Sequence, residues 1–284
     1  MVEFGNISFM RARMSKINSK IQSLNSIEKT MLIPLWARAE ETMSAGLIND
    51  PLSIEIVNEI DTSVYGFNQM SKFVKNYLLT AIANRTILID RFLNGIINEK
   101  TVVYNFGCGL DTRFARYANK VRIWYDIDMP EVIDIRNSFA KESAHYKMQA
   151  INALSDNPME GLDLSKDCVI ICEGILMYFT ELEVRNFLKK VIDSTQSGNM
   201  ILETLGSWTK LKVNPVIKGI GENSRYTWSL NNTQDCRKLD NRMKMIETKS
   251  IFDFNKERWG LMGRLMNSDF LNKRISSKIT LYRY

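Results

Sequence analysis

Residues 101–116, TVVYNFGCGLDTRFAR, determine the fold. A short apolar and β-branched run comes first, the chain then turns through Gly107 and Gly109, and a helical pattern follows Asp111. A strand, a glycine turn and a helix in this order form the nucleotide-binding unit of α/β proteins. Glycine gives the turn a backbone freedom that a Cβ would remove, and it lets a ligand approach the main chain. The stretch predicts a nucleotide-binding α/β fold, with a ligand-free strand-to-helix turn as the alternative.

The glycine pattern also distinguishes between cofactors. A dinucleotide site requires G-x-G-x-x-G, whose third glycine allows close packing of helix on sheet. Thr112 occupies that third position, which argues against a nicotinamide dehydrogenase. Asp111 is placed to cap the new helix, because its carboxylate can accept hydrogen bonds from amides two or three residues further on.

The longer string NFGCGLDTR, residues 105–113, resembles motif I of class I S-adenosylmethionine methyltransferases. More particularly, it is similar to the leucine carboxyl methyltransferase family and to its bacterial branch, the O-methyltransferases of tetracenomycin polyketide synthesis. A second string, EGILMYFT at residues 173–180, resembles the other hallmark of this family. The resemblance implies S-adenosylmethionine as the cofactor, S-adenosylhomocysteine as the product, and no metal.

Beyond residue 100, apolar runs alternate with helical patterns, which predicts a parallel sheet with right-handed crossovers. Further strands are predicted at VRIWYDID (121–128), HYKMQA (145–150), DCVIICEG (167–174) and NMILETLG (199–206). The closing run ISSKITLYRY is predicted as a terminal strand, which is antiparallel in this class of methyltransferase. The alternation predicts a Rossmann-like α/β fold, and the resemblance implies the seven-stranded sheet of class I methyltransferases.

The two ends of the chain depart from this alternation. Residues 1–98 show helical periodicity with almost no strand pattern, and they predict an N-terminal helical cap on a cofactor-binding domain at 99–284. After strand five, residues 206–250 place aromatic side chains among polar ones, including Trp208, Tyr226 and Trp228. This composition favours a substrate-side insertion or lid over a sheet element.

Acidic residues end two of the predicted strands. Asp126 and Asp128 follow the glycine turn by about 20 residues, the spacing at which a carboxylate accepts from both ribose hydroxyls, and the spacing fits either residue. Glu173, followed by Gly174, ends the fourth strand. If strand one lies between strands two and four, Gly107, Asp128 and Glu173 meet at the carboxyl edge of the sheet, where open α/β sheets bind ligands.

The family resemblance implies roles for further residues. Arg85, in ANRTILID, would bind the carboxylate of the methionine moiety; an internal ion pair or extension into water is the alternative. Asp128, in DMPEVI, is the closer match for the ribose, with Asp126 as the generic choice and helix capping as the alternative role. Asn152 and Ala153 stand where the family has an aspartate and a hydrophobic residue at the adenine. The Asn152 carbonyl can still accept from the adenine amine.

The resemblance also marks Arg38 as a position near the cofactor entrance, with an exposed helix arginine as the alternative. Tyr178 could line the methyl-transfer space or be an aromatic core residue, and no general base is assigned. The complete predicted set of cofactor-binding residues is Arg85, Gly107, Cys108, Gly109, Asp111, Asp126, Asp128, Asn152, Ala153, Glu173 and Gly174.

Composition disfavours several other classes of protein. The single histidine, His145, excludes any two-histidine mechanism. Four cysteines without a C-x-x-C pair indicate neither a zinc site nor a disulfide framework. The net charge of +6 is spread along the chain, which argues against nucleic acid as a partner. No apolar run is long enough for a membrane span and no secretory signal is evident, so a cytoplasmic protein is expected.

The sequence and the resemblance together predict O-methylation of a carboxyl or hydroxyl group on a small, polyketide-like molecule. Methyl transfer to an acceptor that is already ionised requires no strong base, so a histidine-poor chain suits this chemistry. Protein C-terminal carboxyl methylation, the activity of the eukaryotic branch, is one alternative. A protein that binds S-adenosylmethionine without catalysis is the other.

Overall fold

The computed structural model describes residues 2–44, 46–62, 67–211, 225–265 and 268–284. Within these ranges one seven-stranded sheet has the order β3-β2-β1-β4-β5-β7-β6. Its strands are β1 (Val102–Phe106), β2 (Ile123–Asp128), β3 (Tyr146–Ala150), β4 (Cys168–Cys172), β5 (Asn199–Leu205), β6 (Lys244–Ser250) and β7 (Ser277–Arg283). Strands β1 to β5 are parallel, and β7 runs antiparallel between β5 and β6. The predicted Rossmann-like sheet and its antiparallel terminal strand are confirmed.

The described residues before β1 are helical where they form regular structure. The helices are α1 (Val2–Ser23), α2 (Ser26–Lys29), α3 (Leu32–Ser44), α4 (Pro51–Asn58) and α5 (Lys72–Ile96). After β1 come α6 (Phe114–Tyr117), α7 (Pro130–Arg136) and α8 (Glu181–Thr195), and two short helices, Gly260–Leu265 and Asp269–Ile275, precede β7. In none of the described helices are length and apolarity sufficient to cross a membrane.

Local sequence signals explain where two of these helices begin. The Asp50 side chain accepts from the Ser53 amide at the start of α4, with Pro51 in the first turn. Thr180 and Glu183 form a reciprocal capping box at the start of α8. Both arrangements satisfy backbone amides that the helix itself leaves unpaired.

Helices cover both faces of the sheet, whose central strands β1 and β4 are buried along their whole length. One face packs against α8 through the apolar stripe Val184, Phe187, Leu188, Val191 and Ile192. The opposite face packs against the second half of α5 through Leu88, Ile89, Phe92 and Leu93. The carboxyl half of α5 is therefore part of the core of the sheet, although it lies within the predicted cap.

Strand β6 corrects the prediction that residues 206–250 contain no sheet element. It occupies the end of that segment and pairs with β7 along the edge of the sheet. The strand is hard to recognise because it is only partly buried, so KMIETKS carries little apolar pattern, and its pairing is irregular between Met245 and Glu247. Residues 212–224 of the predicted insertion lie outside the described residues.

Candidate cofactor site

The turn after β1 requires glycine at two positions. Gly107 and Gly109 have φ angles of 65° and 48°, in the left-handed region that favours glycine. A Cβ on Gly107 would lie 2.7 Å from Ile175 Cδ1, and one on Gly109 would lie 2.9 Å from Met31 Cβ. The Cys108 side chain between them is buried in the core. Only the main chain of this loop is therefore presented to the edge of the sheet.

Replacing Gly107 by alanine should lower both stability and cofactor affinity. The left-handed backbone alone costs about 1–2 kcal/mol for an alanine, and the added Cβ also collides with Ile175. Gly161→Ala is a matched control, since Gly161 has φ 71° and no atom within 4 Å of the added Cβ. Urea unfolding and S-adenosylhomocysteine titration of both variants measure the two effects. If the two variants had equal stability and equal affinity for S-adenosylhomocysteine, a close approach of the ligand to the main chain at Gly107 would be contradicted.

The predicted meeting of three residues at the carboxyl edge of the sheet is confirmed. Strand β1 lies between β2 and β4 with the strand ends in register, so Gly107, Asp128 and Glu173 are brought together. Asp128 Oδ2 accepts from the Gly109 amide at 2.7 Å, and Oδ1 accepts from the Met129 amide at 2.8 Å. Burial raises the pKa of Asp128 to about 6, although these two amides act in the opposite direction.

Two arginines hold the Glu173 carboxylate. Arg85 Nε lies 2.6 Å from Oε1, and Arg113 Nη1 donates to Oε2. Arg85 Nη1 also donates to Glu203 Oε2 at 3.2 Å. Burial raises the pKa of Glu173, but the charges of Arg113 and Arg85 outweigh it and hold that pKa below its ordinary value. Glu173 is therefore an anion in the folded protein at neutral pH.

Asp111 lies in the same buried network. Its carboxylate accepts from the Arg113 amide at 3.0 Å, from Arg113 Nη1 at 2.7 Å and from Asn105 Nδ2 at 3.2 Å. The predicted hydrogen bond to the amide two residues further on is confirmed. It closes the turn before α6, however, and does not cap the helix itself. Burial raises the pKa of Asp111, but the charges of Arg113 and Arg38 outweigh this effect and hold the pKa below its ordinary value. The carboxylate is therefore charged.

Asp126 and Asp128, which the spacing alone cannot distinguish, have different surroundings. Asp126 is fully buried, and four side chains donate to its carboxylate: Trp124, Asn105, Tyr146 and Arg136. Asp128, by contrast, bonds two backbone amides beside the glycine loop. The hydrogen bonds of the Asp126 carboxylate are therefore supplied by side chains inside the protein.

Arg136 and Glu203 belong to the site but were not among the predicted residues. Arg136 Nη1 donates to the Gly109 carbonyl at 2.9 Å and Nη2 donates to the Asp111 carbonyl at 2.5 Å. Glu203 accepts from Arg85 and from the Gly174 amide at 2.9 Å. Arg136 lies on the buried face of α7, and Glu203 lies within the buried strand β5. Such residues require buried partners of opposite charge, and this was the signal in the sequence.

Arg38 is buried, so its alternative role as an exposed helix arginine is wrong. Its Nε lies 2.9 Å from Asp50 Oδ2, and its Nη2 donates to the Leu110 carbonyl at 2.7 Å. Asp50 also accepts from Thr112 Oγ1 at 2.6 Å. These contacts fasten α3 and the start of α4 to the glycine loop.

The remaining predicted residues lie along the same edge. The Asn152 side chain is exposed, and its Oδ1 accepts from the Leu154 amide at 2.8 Å; Ala153 is buried. Gly174 has φ 72°, and a Cβ built there would have only Arg85 Nη1, at 3.9 Å, within 4 Å. The space beside Gly174 is therefore open toward the Arg85 guanidinium.

Tyr178 joins three segments at the edge of the site. Its hydroxyl donates to Thr30 Oγ1 at 2.9 Å, and its ring meets that of Tyr226 edge to face, with centroids 5.1 Å apart. The segment that carries Tyr226 is fixed by the Thr227 amide, which donates to the Met177 carbonyl at 2.8 Å. Burial raises the pKa of Tyr178 above its ordinary value, so its hydroxyl is neutral at physiological pH.

Comparisons with known proteins show the family of the chain. A model of the leucine carboxyl methyltransferase family matches residues 31–192. Tetracenomycin polyketide synthesis O-methyltransferase TcmP of Streptomyces glaucescens is 24% identical over 236 residues, covering 81% of this chain and 85% of that protein. The S-adenosyl-L-methionine-dependent methyltransferase dpfgK of Gibberella zeae is also 24% identical, with coverage of 75% and 78%.

Among solved structures, magnesium protoporphyrin IX methyltransferase from Synechocystis with bound S-adenosylhomocysteine has a TM-score of 0.48. Its identity is 14%, and the match covers 78% of this chain and 95% of that one. The family match spans more than half of the 284 residues and contains the glycine loop, Asp128 and Glu173. The chain therefore belongs to the leucine carboxyl methyltransferase family, whose enzymes transfer methyl groups.

Proposed function

We propose that this methyltransferase uses S-adenosylmethionine to methylate a carboxyl or hydroxyl oxygen of a small, polyketide-like molecule. The observation that carries the proposal is the convergence of the glycine loop, Asp128 and the Arg85–Glu173 pair at the carboxyl edge of β2, β1 and β4. The acceptor class is supported by the name of the Streptomyces relative, a polyketide synthesis O-methyltransferase.

The residues present fit the chemistry of the proposed cofactor. Arg85 lies beside the open space at Gly174 and supplies a cation for the methionine carboxylate. Glu173 supplies an anion for the ammonium, and Asp128 supplies two acceptor oxygens for the ribose hydroxyls. We assign the ribose to Asp128 rather than Asp126, because internal donors already surround Asp126. The main chain of residues 107–109 and the side chains of Asp111, Asn152 and Ala153 would complete the cofactor surface.

The protein contributes alignment and exclusion of water rather than acid–base chemistry. S-adenosylmethionine, when bound, would supply an electrophilic methyl group, to which the acceptor oxygen bonds in line as the methyl–sulfur bond breaks and S-adenosylhomocysteine leaves. Alignment of two reactants at near-attack distance is a large source of rate enhancement, and a water-excluded site strengthens the electrostatic contacts. Tyr178 and Tyr226 would form an aromatic wall beside the acceptor. Neither hydroxyl is set up as a base, because burial raises the pKa of both.

The N-terminal helices are proposed to cover the cofactor. Met31 packs on Gly109, Thr30 bonds Tyr178 and Arg38 bonds the Leu110 carbonyl, so α3 and the short connection before it lie directly over the glycine loop. We retain the proposed division into a cap at 1–98 and a cofactor-binding domain at 99–284, with the second half of α5 shared between them. A cytoplasmic location also remains a proposal, which the absence of disulfides between the four buried cysteines suits.

Cofactor affinity should fall as the pH falls through about 6. Protonation of Asp128, whose pKa burial raises to about 6, removes one of the two acceptor oxygens. Protons therefore compete with the ligand, and we expect S-adenosylhomocysteine to bind about tenfold more weakly at pH 5 than at pH 7.5. Calorimetric titration across this range tests the expectation. Asp128→Asn should bind S-adenosylhomocysteine weakly at every pH. If the affinity of this variant kept the full pH dependence of the wild type, another group would be the one that titrates.

A labelling experiment distinguishes the proposed acceptor from its alternatives. Purified protein is incubated with methyl-labelled S-adenosylmethionine and a cell extract separated into small-molecule and protein fractions. We expect label in the small-molecule fraction only. Mild base releases methanol from a methyl ester but not from an ether, so it distinguishes a carboxyl from a hydroxyl acceptor. Label only in protein would favour protein carboxyl methylation, and no label in either fraction would favour binding without catalysis.

A further inference from the structure

A cavity of about 390 Å³ lies on the side of α5, between that helix, α6 and the loop that leads into α4. We call it the α5 cavity; its polar wall contains Thr86, Asp90 and Arg91 from α5, with Asp50 and Arg116. Its volume is within the range of small-molecule sites. None of the predicted cofactor-binding residues lines it.

Arg113 separates the α5 cavity from the candidate cofactor site. Its Nε lies 2.8 Å from Asp90 Oδ1, at the wall of the cavity, while its Nη1 donates to Glu173 on the other side. Arg113 itself is almost completely buried, with 1% of its side chain exposed. A ligand in the α5 cavity would therefore not occupy the position of the cofactor.

Two arginines of the cavity wall, Arg91 and Arg116, present N–H groups that can hold an anion. Each carboxylate there already has a buried guanidinium outside the wall: Arg38 for Asp50 and Arg113 for Asp90. Arg116 adds a second cation, with Nη2 2.8 Å from Asp90 Oδ2 and Nη1 4.0 Å from Asp50 Oδ1.

Arg91 contributes a further cation to the wall. Its side chain is half exposed, and its Nη2 lies 3.1 Å from Glu247 Oε1, an oxygen that Lys249 also approaches at 3.4 Å. Because Glu247 is shared between two cations, the positive charge of Arg91 is only partly balanced. The wall therefore contains two arginines, Arg91 and Arg116, and two aspartates, each of which a buried arginine outside the wall also contacts.

Thr86 gives an independent indication of a ligand. Thr86 is 3% exposed, and its Oγ1 has no hydrogen-bond partner in the described structure. On the same helix, Thr80 Oγ1 donates to the Asn76 carbonyl at 2.8 Å, the usual solution for a buried helical threonine. A buried hydroxyl without a partner is costly. The rest of the wall comes from apolar Leu47, Ile48 and Ile87 and from two amide side chains, those of Asn49 and Asn94.

We propose that the α5 cavity binds a small organic anion, with its carboxylate or phosphate group held by Arg91 and Arg116. The Thr86 hydroxyl gains a partner in the bound molecule, and the apolar part of that molecule packs against Ile48 and Ile87. This arrangement matches the general composition of ligand sites, in which a few polar groups fix the orientation within an apolar wall.

Calorimetric titration with phenyl phosphate and phenylacetate tests the proposal, with neutral phenylacetamide as the matched control. All titrations contain saturating S-adenosylhomocysteine, so that binding at the cofactor site does not contribute. We expect at least one of the anions to bind and the amide not to bind; the preferred anion distinguishes phosphate from carboxylate recognition. Binding of the amide as tight as that of the anions, or no binding of either anion at millimolar concentration, would overturn the proposal.

Two variants locate the bound anion. Arg91→Ala removes a half-exposed side chain and should weaken anion binding about tenfold, the effect of one charge-assisted hydrogen bond. Ile87→Trp, which places a larger side chain at the cavity wall, should abolish anion binding. Arg122→Ala removes an equally exposed arginine that pairs with Asp163 elsewhere and should leave affinity unchanged. Equal affinities of wild type, Arg91→Ala and Ile87→Trp would place the anion elsewhere and overturn the proposal.

Discussion

Replacing Arg113 by alanine is expected to lower the free energy of unfolding by about 3–5 kcal/mol, the cost of breaking a buried ion pair by removing one partner. The guanidinium contacts three carboxylates, those of Asp90, Asp111 and Glu173. Without it, Asp111 and Glu173 become buried neighbouring anions with fewer partners. The same change should also weaken cofactor binding, because Glu173 loses one of the two groups that hold it.

Urea denaturation of wild type and Arg113→Ala measures the loss. Arg122→Ala is the control, because its ion pair with Asp163 is about half exposed on both sides and such pairs contribute at most about 1 kcal/mol. If the Arg113→Ala and Arg122→Ala variants were equally stable, the buried network would not be the stabilising element that its contacts indicate.

Replacing Arg85 by alanine is expected to weaken S-adenosylhomocysteine binding about 100-fold. Two charge-assisted hydrogen bonds to the amino acid carboxylate of the ligand, each at the lower end of about 1.5–3 kcal/mol, account for this factor. Arg91→Ala is a matched control on the same helix, since Arg91 is half exposed and pairs with Glu247 away from the glycine loop. Calorimetric titration gives the three affinities.

A second ligand distinguishes contact with the carboxylate from general disruption of the site. 5′-Methylthioadenosine has the nucleoside and the sulfur of the cofactor but lacks its amino acid part. Arg85→Ala should therefore bind it as wild type does. If binding of both ligands weakened equally, Arg85 would act by holding Glu173 and Glu203 in place rather than by contacting the ligand carboxylate.

The central strands of the parallel part of the sheet could be predicted because they are buried on both faces. Strand β4 is a continuous apolar run, and β1 is apolar except for Asn105. The residues that end or follow β1, β2 and β4 include the glycine and two acids that point to a nucleotide. Strand β6 could not be predicted in the same way. It lies at the edge of the sheet formed by the described residues, where only β7 pairs with it, and its side chains are mostly polar.

The candidate site was predictable where a local string carries the chemistry, and less so where partners come from distant parts of the chain. The choice between Asp126 and Asp128 depends on Arg136 and Tyr146, which reach Asp126 from α7 and β3. Similarly, the two arginines on Glu173 come from α5 and from the turn before α6. Such pairings depend on how the elements pack, which no sequence spacing specifies.

The central claim is that the glycine loop, Asp128 and Glu173 form an S-adenosylmethionine site. Calorimetric titration of the wild-type protein with S-adenosylhomocysteine and, separately, with NAD tests this claim most directly. Denaturation and mass spectrometry first establish that the purified protein carries no bound nucleotide. We expect S-adenosylhomocysteine to bind with one molecule per chain, NAD not to bind, and Glu173→Ala to lose the interaction. Binding of NAD, or no binding of S-adenosylhomocysteine to the ligand-free protein, would contradict the claim.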